Sequence, residues 1–238
     1  MRAMILAAGL GTRLKPFTDD HPKALAVVNG KSLLQRNIAY LHDAGISDII
    51  INTHHFPDQV IAALTDINYA STRISISDET GELLETGGGL KKASWFFDNN
   101  EPFILMNVDI LTDLSLASFI EAHNISGALA TLAVTSRTTS RYFLFDDSGL
   151  LSGWRNVSTG EERITRKTNT YMQKAFSGIQ IISPRIFPLI PFTGRFSMVE
   201  VYLHLSLSEQ ISAFDHTGSK FIDVGKPESI IEAQHMFA

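Results

Sequence analysis

The chain has 238 residues, of which 44% are hydrophobic and 19% charged, so it can bury a sizeable core and does not belong to the disordered class. The formal net charge of −5 excludes a generally basic nucleic-acid-binding protein, and the lack of cysteine excludes disulfides and thiolate metal sites. The sequence shows no signal-peptide pattern and no apolar run of roughly 18 residues, so we expect a cytoplasmic protein that binds neither membranes nor nucleic acid.

The first predicted element is a short apolar strand from Ala3 to Ala8, which leads into a loop, Gly9-Leu10-Gly11-Thr12-Arg13. Glycines let a backbone approach a ligand closely and present its N–H groups to an anion. Arg13, Lys15 and Lys23 concentrate positive charge beside this loop in an otherwise acidic chain. The stretch therefore predicts a site for phosphates.

Two other phosphate-binding motifs do not fit this loop. A dinucleotide fingerprint needs a third glycine where the chain has Leu14, and a carboxylate after the next strand, which ends in Ile51-Asn52-Thr53-His54. A P-loop needs a Gly-Lys-Ser/Thr string that is absent here. A plain turn after a strand is the remaining alternative, and the regular placement of Pro16 and Pro22-Lys23 disfavours it.

The string G-x-G-T-R-L, followed by Pro16 and by Pro22-Lys23-Ala24-Leu25, resembles the signature of the sugar-1-phosphate nucleotidyltransferases, or nucleotide-sugar pyrophosphorylases. Within that family the chain is most similar to the short enzymes that act on N-acetylmuramic acid 1-phosphate. The resemblance implies Arg13 and Lys23 as catalytic residues. It also implies nucleotide contacts from this segment, namely Leu6, Ala8, Gly9, Gly11, Thr12, Arg13 and Lys23.

The next elements alternate between helix and strand. Ser32 and Gln35 have capping-box spacing at the start of a helix that Gly45 ends. A strand at Asp48–Asn52, a helix from Pro57 and a strand at Arg73–Ser77 follow. This order predicts an α/β fold in one domain, with a Rossmann-like, mixed but mainly parallel sheet and helices on both faces. The resemblance implies the nucleotide-diphospho-sugar transferase fold.

Residues 78–90 contain three adjacent glycines, Gly87 to Gly89. We predict a loop before a helix that starts near Gly88 and continues through Trp95. Each glycine weakens a helix by about 1 kcal/mol relative to alanine, which indicates that something approaches the backbone closely. In the family the matching segment holds the nucleobase and ribose, and the resemblance assigns Glu79, Thr86 and Gly87 to nucleotide binding.

Asp109 follows an apolar strand predicted at Pro102–Asn107, where open α/β sheets bind ligands. A capping role for Asp109 is the alternative, with Asp113 as a competing cap. The resemblance implies that Asp109 binds a metal ion and that Asn107 lies at the sugar. The family usually has a small residue where this chain has Val108.

Residues 114–182 are predicted as alternating elements: a helix at Leu114–His123, a strand at Ala128–Thr135, a β-hairpin turning at Asp146–Gly149, a polar surface loop at 155–173 and a buried strand at Phe176–Ile182. Ser177 and Gly178 are the candidate sugar contacts on that strand. A glycine needed only for packing is an equal alternative.

Two more helix starts follow, one capped by Ser197 with Glu200 and one at Pro227. Asp223 lies between Ile222 and Val224 at the end of a predicted strand, where an unpaired carboxylate would be costly to bury. The family places its second metal-binding aspartate in a matching D-V-G-x-P-E string.

Two aspartates with phosphate and water oxygens form an oxygen-only set, which suits Mg²⁺ as the cofactor. We expect residues 1–112 to form a nucleotide-binding half and residues 113–238 a sugar-binding half. The resemblance implies transfer of a nucleotidyl group, with UTP favoured, to a sugar 1-phosphate, with N-acetylmuramic acid 1-phosphate favoured, in a monomer or small homo-oligomer. Guanylyl transfer to mannose 1-phosphate, thymidylyl transfer to glucose 1-phosphate, and a non-catalytic subunit that binds nucleotide sugars are the alternatives.

Overall fold

The structure is a computed structural model that describes residues 1–65 and 71–238. Its helices are α1 (Leu33–Asp43), α2 (Pro57–Thr65), α3 (Glu85–Lys92), α4 (Leu116–Ser126), α5 (Met198–Leu205) and α6 (Pro227–Met236). Its strands are β1 (Arg2–Leu6), β2 (Val27–Val28), β3 (Lys31–Ser32), β4 (Asp48–Thr53), β5 (Arg73–Asp78), β6 (Phe103–Asn107), β7 (Ile110–Thr112), β8 (Ala130–Thr135), β9 (Arg141–Phe145), β10 (Leu151–Asn156), β11 (Glu161–Ile164), β12 (Met172–Ile182), β13 (Ile211–Asp215) and β14 (Phe221–Asp223).

The central sheet confirms the predicted α/β class. Strands β5, β4, β1 and β6 lie side by side and parallel, and β12 continues the sheet antiparallel to β6. The sheet then extends through β9, β10 and β11, while β8 pairs with β12 and β13. The parallel strands β1, β4, β5 and β6 follow one another along the chain with a helix between each pair, as parallel neighbours require.

Both faces of the sheet carry helices, because side chains alternate between the faces along each strand. Ala3 and Ile5 of β1 pack with residues of α1, α2 and α4 on one face. Met4 and Leu6 pack with residues of α3 and α5 on the other. A smaller apolar cluster joins α6 to β2, β7 and β14. None of the helices in the described ranges is long and apolar enough to cross a membrane.

The predicted caps of α1 and α5 are confirmed. Ser32 accepts a hydrogen bond from the Gln35 backbone at 3.1 Å, and the Gln35 side chain accepts one from the Ser32 backbone at 2.9 Å. Ser197 and Glu200 form the same reciprocal pair at the start of α5. These two helices therefore begin where the sequence predicts.

Two local predictions are wrong. The segment 155–173 is not one loop, because Glu161–Ile164 forms β11 and pairs antiparallel with β10, and β12 already begins at Met172. Helix α3 begins at Glu85 rather than near Gly88, so all three glycines lie inside it. Strand β11 forms by hairpin pairing with β10 although its own sequence is charged, and the start of α3 is fixed by contacts with the distant Phe196.

Strand β14 lies outside the central sheet and forms a two-stranded ribbon with β7. In this ribbon Asp223 is opposite Ile110, and the Val224 N–H donates to the carbonyl of Asp109 at 2.8 Å. The two predicted metal-binding aspartates are thus brought together by a ribbon and not by the edge of the main sheet.

A buried histidine predicts a loss of stability in mild acid. His123 is 3% exposed, its Nδ1 lies 2.8 Å from the Thr131 hydroxyl, and burial lowers its pKa to about 4. The unfolded chain takes up a proton near pH 6.5 and the folded protein does not, so stability falls as the pH drops from about 6.5 towards 4.

The loss of unfolding free energy due to His123 amounts to about 2 kcal/mol between pH 7 and pH 5, because each pKa unit is worth about 1.4 kcal/mol. Urea unfolding of wild type and His123→Gln at both pH values measures it, and the variant should show the smaller difference. His235→Gln, at an exposed position in α6, is the control and should keep the wild-type difference. An unchanged difference in His123→Gln would contradict the prediction.

Candidate active site

A cavity of about 410 Å³ lies beyond the carboxyl ends of β1, β4 and β6. It brings together ten of the residues that the sequence singles out: Leu6, Ala8, Gly9, Gly11, Thr12, Arg13, Lys23, Thr86, Asn107 and Asp109. Its wall also contains residues that the sequence reasoning did not select: Ala7, Asn52, Leu83, Glu85, Val108, Ser197 and Gly225. Parallel strands place their following loops at one edge of the sheet, which explains why segments so distant in sequence meet.

The glycine loop has the conformation that its sequence requires at Gly11. Its φ of +62° is in the left-handed region, and a Cβ there would lie 2.8 Å from Cγ2 of Thr18 and 3.0 Å from Cβ of Lys23. The Thr18 hydroxyl donates to the Gly11 carbonyl at 2.9 Å. Gly11 therefore lets the loop pack directly on the segment that carries Lys23.

Lys23 and Asp109 form an ion pair in the wall of the cavity. Their side chains are only 11% and 15% exposed, so solvent screens the pair weakly. A short turn of 3-10 helix at Lys23–Leu25 follows Pro22 and carries the lysine to this position. The ammonium group is thus held at the cavity wall by a carboxylate in a fixed position.

Asp223 lies next to this pair and experiences the charges of both carboxylate and cationic neighbours. Burial and the neighbouring Asp109 carboxylate raise the pKa of Asp223, while Lys23 and Arg13 oppose the shift. Its Oδ1 is buried and has no hydrogen-bond partner among residues 1–65 and 71–238, and its Oδ2 is 3.7 Å from the guanidinium of Arg13. A bound cation would relieve the repulsion between the two carboxylates and satisfy this oxygen.

Gly225 of the D-V-G string makes room for Arg13. A Cβ at this position would lie 2.7 Å from the guanidinium of Arg13 and 2.7 Å from Oδ1 of Asp223. Any larger residue would push these two groups apart. The glycine thus keeps the exposed arginine close to the carboxylates, at the mouth of the cavity.

Asn52 is the clearest residue that sequence reasoning missed. Its side-chain oxygen accepts hydrogen bonds from the backbone N–H groups of Ala7 at 2.7 Å and Ala8 at 3.3 Å, and its amide donates to Glu79 at 2.7 Å. Glu79 is fully buried, which raises its pKa, and it also accepts from the Leu84 backbone. The polar residue ending an apolar strand at position 52 was the available signal.

Asn52→Ala should lower the free energy of unfolding by about 2–4 kcal/mol, because it removes the bonds that Asn52 makes to the N–H of Ala7 and to Oε1 of Glu79 in a buried site. It should also raise the KM for the nucleotide, since the backbone at Ala7 and Ala8 lines the cavity. Asn99→Ala, at an exposed amide bonded to Glu101, is the control and should stay within about 0.5 kcal/mol of wild type. Equal stability of both variants would contradict this role.

The glycines of α3 are approached closely by the protein itself. A Cβ at Gly87 would lie 2.5 Å from the ring of Phe196, one at Gly88 would lie 2.4 Å from the carbonyl of Gly194, and one at Gly89 would lie 2.6 Å from Glu79. The N–H groups of Gly87 and Gly88 both donate to the Phe196 carbonyl. The backbone N–H groups of these two glycines are therefore hydrogen-bonded within the protein, and Gly87 does not line the cavity.

Three other predicted contacts also lie away from the cavity wall. Glu79 is buried behind Asn52, and Ser177 is fully buried with its hydroxyl 2.8 Å from Nε2 of His216. Gly178 has a φ of +72°, and a Cβ there would lie 2.9 Å from the amide of Asn107. Gly178 thus packs against a cavity residue instead of facing the cavity.

The sequence profile of the nucleotidyl transferase family matches residues 2–144, more than half of the chain. The chain belongs to the nucleotidyl transferase family. The match includes the glycine loop, Lys23, Asn52 and Asp109, so most of the cavity wall is built from the part of the chain that the family shares.

Relatives in this nucleotidyl transferase family differ in the substrates that their names state. An N-acetylmuramate alpha-1-phosphate uridylyltransferase of Neisseria meningitidis is 31% identical over 98% of this chain and 97% of its own length. A mannose-1-phosphate guanyltransferase of Yarrowia lipolytica is 27% identical over 100% of this chain, which spans 64% of that relative. The crystal structure of HddC from Yersinia pseudotuberculosis is 27% identical, with a TM-score of 0.76 over 100% of this chain and 99% of HddC. These neighbours have the nucleotide-diphospho-sugar transferase fold expected from the sequence.

The carboxylates of the site fit a hard divalent cation. Asp109 and Asp223 offer only oxygen ligands, and Oδ1 of Asp223 finds no hydrogen-bond partner in the part of the chain that the structure describes. No cluster of three or more Asp, Glu or His residues suited to a metal occurs in the described residues. Phosphate and water oxygens would therefore supply the other ligands.

Proposed function

We propose that the protein transfers a nucleotidyl group from a nucleoside triphosphate to a sugar 1-phosphate and releases pyrophosphate. The observation that carries this proposal is the grouping of Arg13, Lys23 and Asp109 in the wall of one cavity lined by the glycine loop, with Asp223 next to them. The cavity volume of about 410 Å³ is in the range of small-molecule sites.

The reaction depends on aligning the two substrates and neutralising their negative charge more than on proton transfer. An oxygen of the sugar phosphate attacks the α-phosphorus of the triphosphate, and the bond from that phosphorus to the leaving pyrophosphate breaks. A phosphate oxygen is already a nucleophile at neutral pH, so no side chain has to remove a proton. The catalytic work of the chain is to hold two polyanions in line.

Each polar group of the site has a part in holding these polyanions. Arg13, at the mouth of the cavity, binds the leaving pyrophosphate, and Lys23 neutralises the phosphates near the reacting centre. One cation about 4 Å from a phosphate charge contributes roughly 4 kcal/mol at an effective dielectric near 20. Asp109 and Asp223 would hold Mg²⁺, which supplies charge neutralisation shared by both substrates when bound.

The favoured substrates are UTP and N-acetylmuramic acid 1-phosphate, in an enzyme of cytoplasmic cell-wall recycling. The near full-length match to the Neisseria meningitidis uridylyltransferase supports this choice. The similar match to a guanyltransferase makes GTP and mannose 1-phosphate the pair to compare it with.

The decisive experiment measures pyrophosphate release with four nucleoside triphosphates, each against N-acetylmuramic acid, mannose and glucose 1-phosphates, with Mg²⁺ or with excess chelator. We expect release that needs both substrates and the cation, and that is fastest with UTP and the muramic acid sugar. Nucleotide-sugar binding without release under any condition would instead identify a non-catalytic binding protein.

A further inference from the structure

A second cavity, of about 370 Å³, lies between strands β9–β11 and helix α5. We call it the hairpin cavity; its wall consists of Arg141, Trp154, Asn156, Glu161, Arg163, Ser197, Val199, Glu200 and Leu203. Ser197, the cap of α5, also lines the candidate active site. The two cavities are therefore neighbours that share this residue in their walls.

The register of the three strands explains the composition of the hairpin cavity. Asn156 is opposite Arg141 on one side and opposite Glu161 on the other, and Trp154 is opposite Arg163. Residues opposite each other or two apart share a face of the sheet, so these five side chains form two adjacent rows on one surface. Strand β11, which the sequence did not predict, is what adds Glu161 and Arg163 to that surface.

Every charged side chain in the wall of the hairpin cavity but one has a polar partner. Glu161 pairs with Arg163 at 2.9 Å, and the Arg163 guanidinium also lies 5.9 Å from the ring centre of Trp154. The Glu200 carboxylate accepts two hydrogen bonds from Ser197. Within residues 1–65 and 71–238, the Arg141 side chain forms no ion pair or hydrogen bond. The cavity therefore presents one guanidinium whose hydrogen-bond donors are unused.

We infer that the hairpin cavity binds the sugar and that Arg141 recognises a carboxylate on it. A guanidinium pairs with a carboxylate through two parallel hydrogen bonds, and the amide of Asn156 in the same row offers a further donor. Trp154 provides an aromatic surface for the apolar face of a sugar ring. The acceptor is thus an acidic sugar 1-phosphate, and Arg141 sets the preference for it over neutral sugars. The inference rests on the proposed nucleotidyl transfer.

The test compares N-acetylmuramic acid 1-phosphate with N-acetylglucosamine 1-phosphate, which lacks only the lactyl ether that carries the carboxylate. Wild type should have the higher kcat/KM with the acidic sugar. Arg141→Gln should lower kcat/KM for the acidic sugar roughly tenfold or more, as for losing a charge-assisted hydrogen bond, and leave the neutral sugar within about twofold. Arg141→Lys should recover part of the loss.

Arg155→Gln is the matched control. Arg155 lies on the same hairpin, pairs with Glu162 at 2.5 Å and does not line the cavity. It should behave as wild type with both sugars. Urea unfolding of each variant excludes misfolding as the cause of any loss.

The outcomes separate this inference from the proposed function. Turnover of both sugars with equal kcat/KM, an equal loss for both in Arg141→Gln, or turnover of neutral sugars alone would overturn the role of Arg141 while leaving nucleotidyl transfer intact. If no pair of substrates releases pyrophosphate, the proposed function fails. Calorimetric titration with N-acetylmuramic acid 1-phosphate then decides the inference, because absent binding or equal affinity in wild type and Arg141→Gln overturns it.

Discussion

Lys23→Ala should lower kcat by roughly two orders of magnitude, because it removes one preorganised positive charge from the reacting phosphates. Steady-state pyrophosphate release with saturating substrates measures the change. Lys15→Ala is the control, since Lys15 is mostly exposed and pairs with Asp19 at 2.8 Å away from the cavity wall. A Lys23→Ala enzyme within a few-fold of wild type would remove this residue from the reaction.

The same substitution should also affect stability, which the sequence alone does not reveal. Lys23 is the ion-pair partner of Asp109 in a weakly solvated site, so its removal leaves a carboxylate unpaired next to Asp223. Breaking a buried pair in this way costs about 3 kcal/mol or more. The double variant Lys23→Met/Asp109→Asn should recover much of that stability without recovering turnover, which separates the two effects.

Asp109→Asn and Asp223→Asn should each abolish measurable turnover, because each removes one of the two carboxylates proposed to bind Mg²⁺. Each variant should also lose most of the rise in melting temperature that Mg²⁺ with UTP gives to wild type by mass action on the folded state. This second readout does not depend on catalysis. Wild-type activity in either variant would contradict the shared-ion proposal.

The structure predicts that these two variants differ when no ligand is present. Asp223→Asn removes a repulsion with Asp109, and the protein should be as stable as wild type or more so. Asp109→Asn leaves the ammonium of Lys23 without its carboxylate, and the protein should be less stable. Melting temperatures in the presence of chelator measure the difference. Glu228→Gln, in the first turn of α6, is a control outside the cavity wall.

Features fixed by neighbouring residues could be predicted from the sequence. The caps at Ser32 and Ser197, the βαβ order and the position of Asp109 after β6 all depend on local spacing, and the structure shows each of them. The grouping of Gly11, Lys23 and Asp109 at one cavity also follows, because parallel strands end at one edge of the sheet.

Features that depend on strand pairing without an apolar pattern, or on contacts between distant segments, could not be predicted. Strand β11 has no apolar alternation, since all of its residues are exposed, and it is stabilised by pairing with β10. The glycines of α3 suggest a close ligand but in fact accommodate Phe196 and Gly194, more than 100 positions later. The polar residue at position 52 is visible in the sequence, but its partner Glu79, 27 residues later, is not. Roles in binding for the site residues remain predictions for the experiments above.

The ribbon of β7 and β14 has a consequence for how the protein is made. A chain leaves the ribosome from its N-terminus, and N-terminal parts can fold before the rest is synthesised. Lys23 and Asp109 are synthesised early, whereas Asp223 is added more than 100 residues after Asp109. Asp223 reaches the site when β14 pairs with β7, which places it opposite Ile110.

A nascent chain ending near residue 215 would therefore contain the glycine loop and the parallel strands but only one of the two carboxylates. Such a chain lacks the Asp223 carboxylate and the apolar support that β14 and α6 give to Leu14 and Ala26, and it should release no pyrophosphate. The order of synthesis thus keeps the reactive site incomplete until β14 emerges and closes the ribbon.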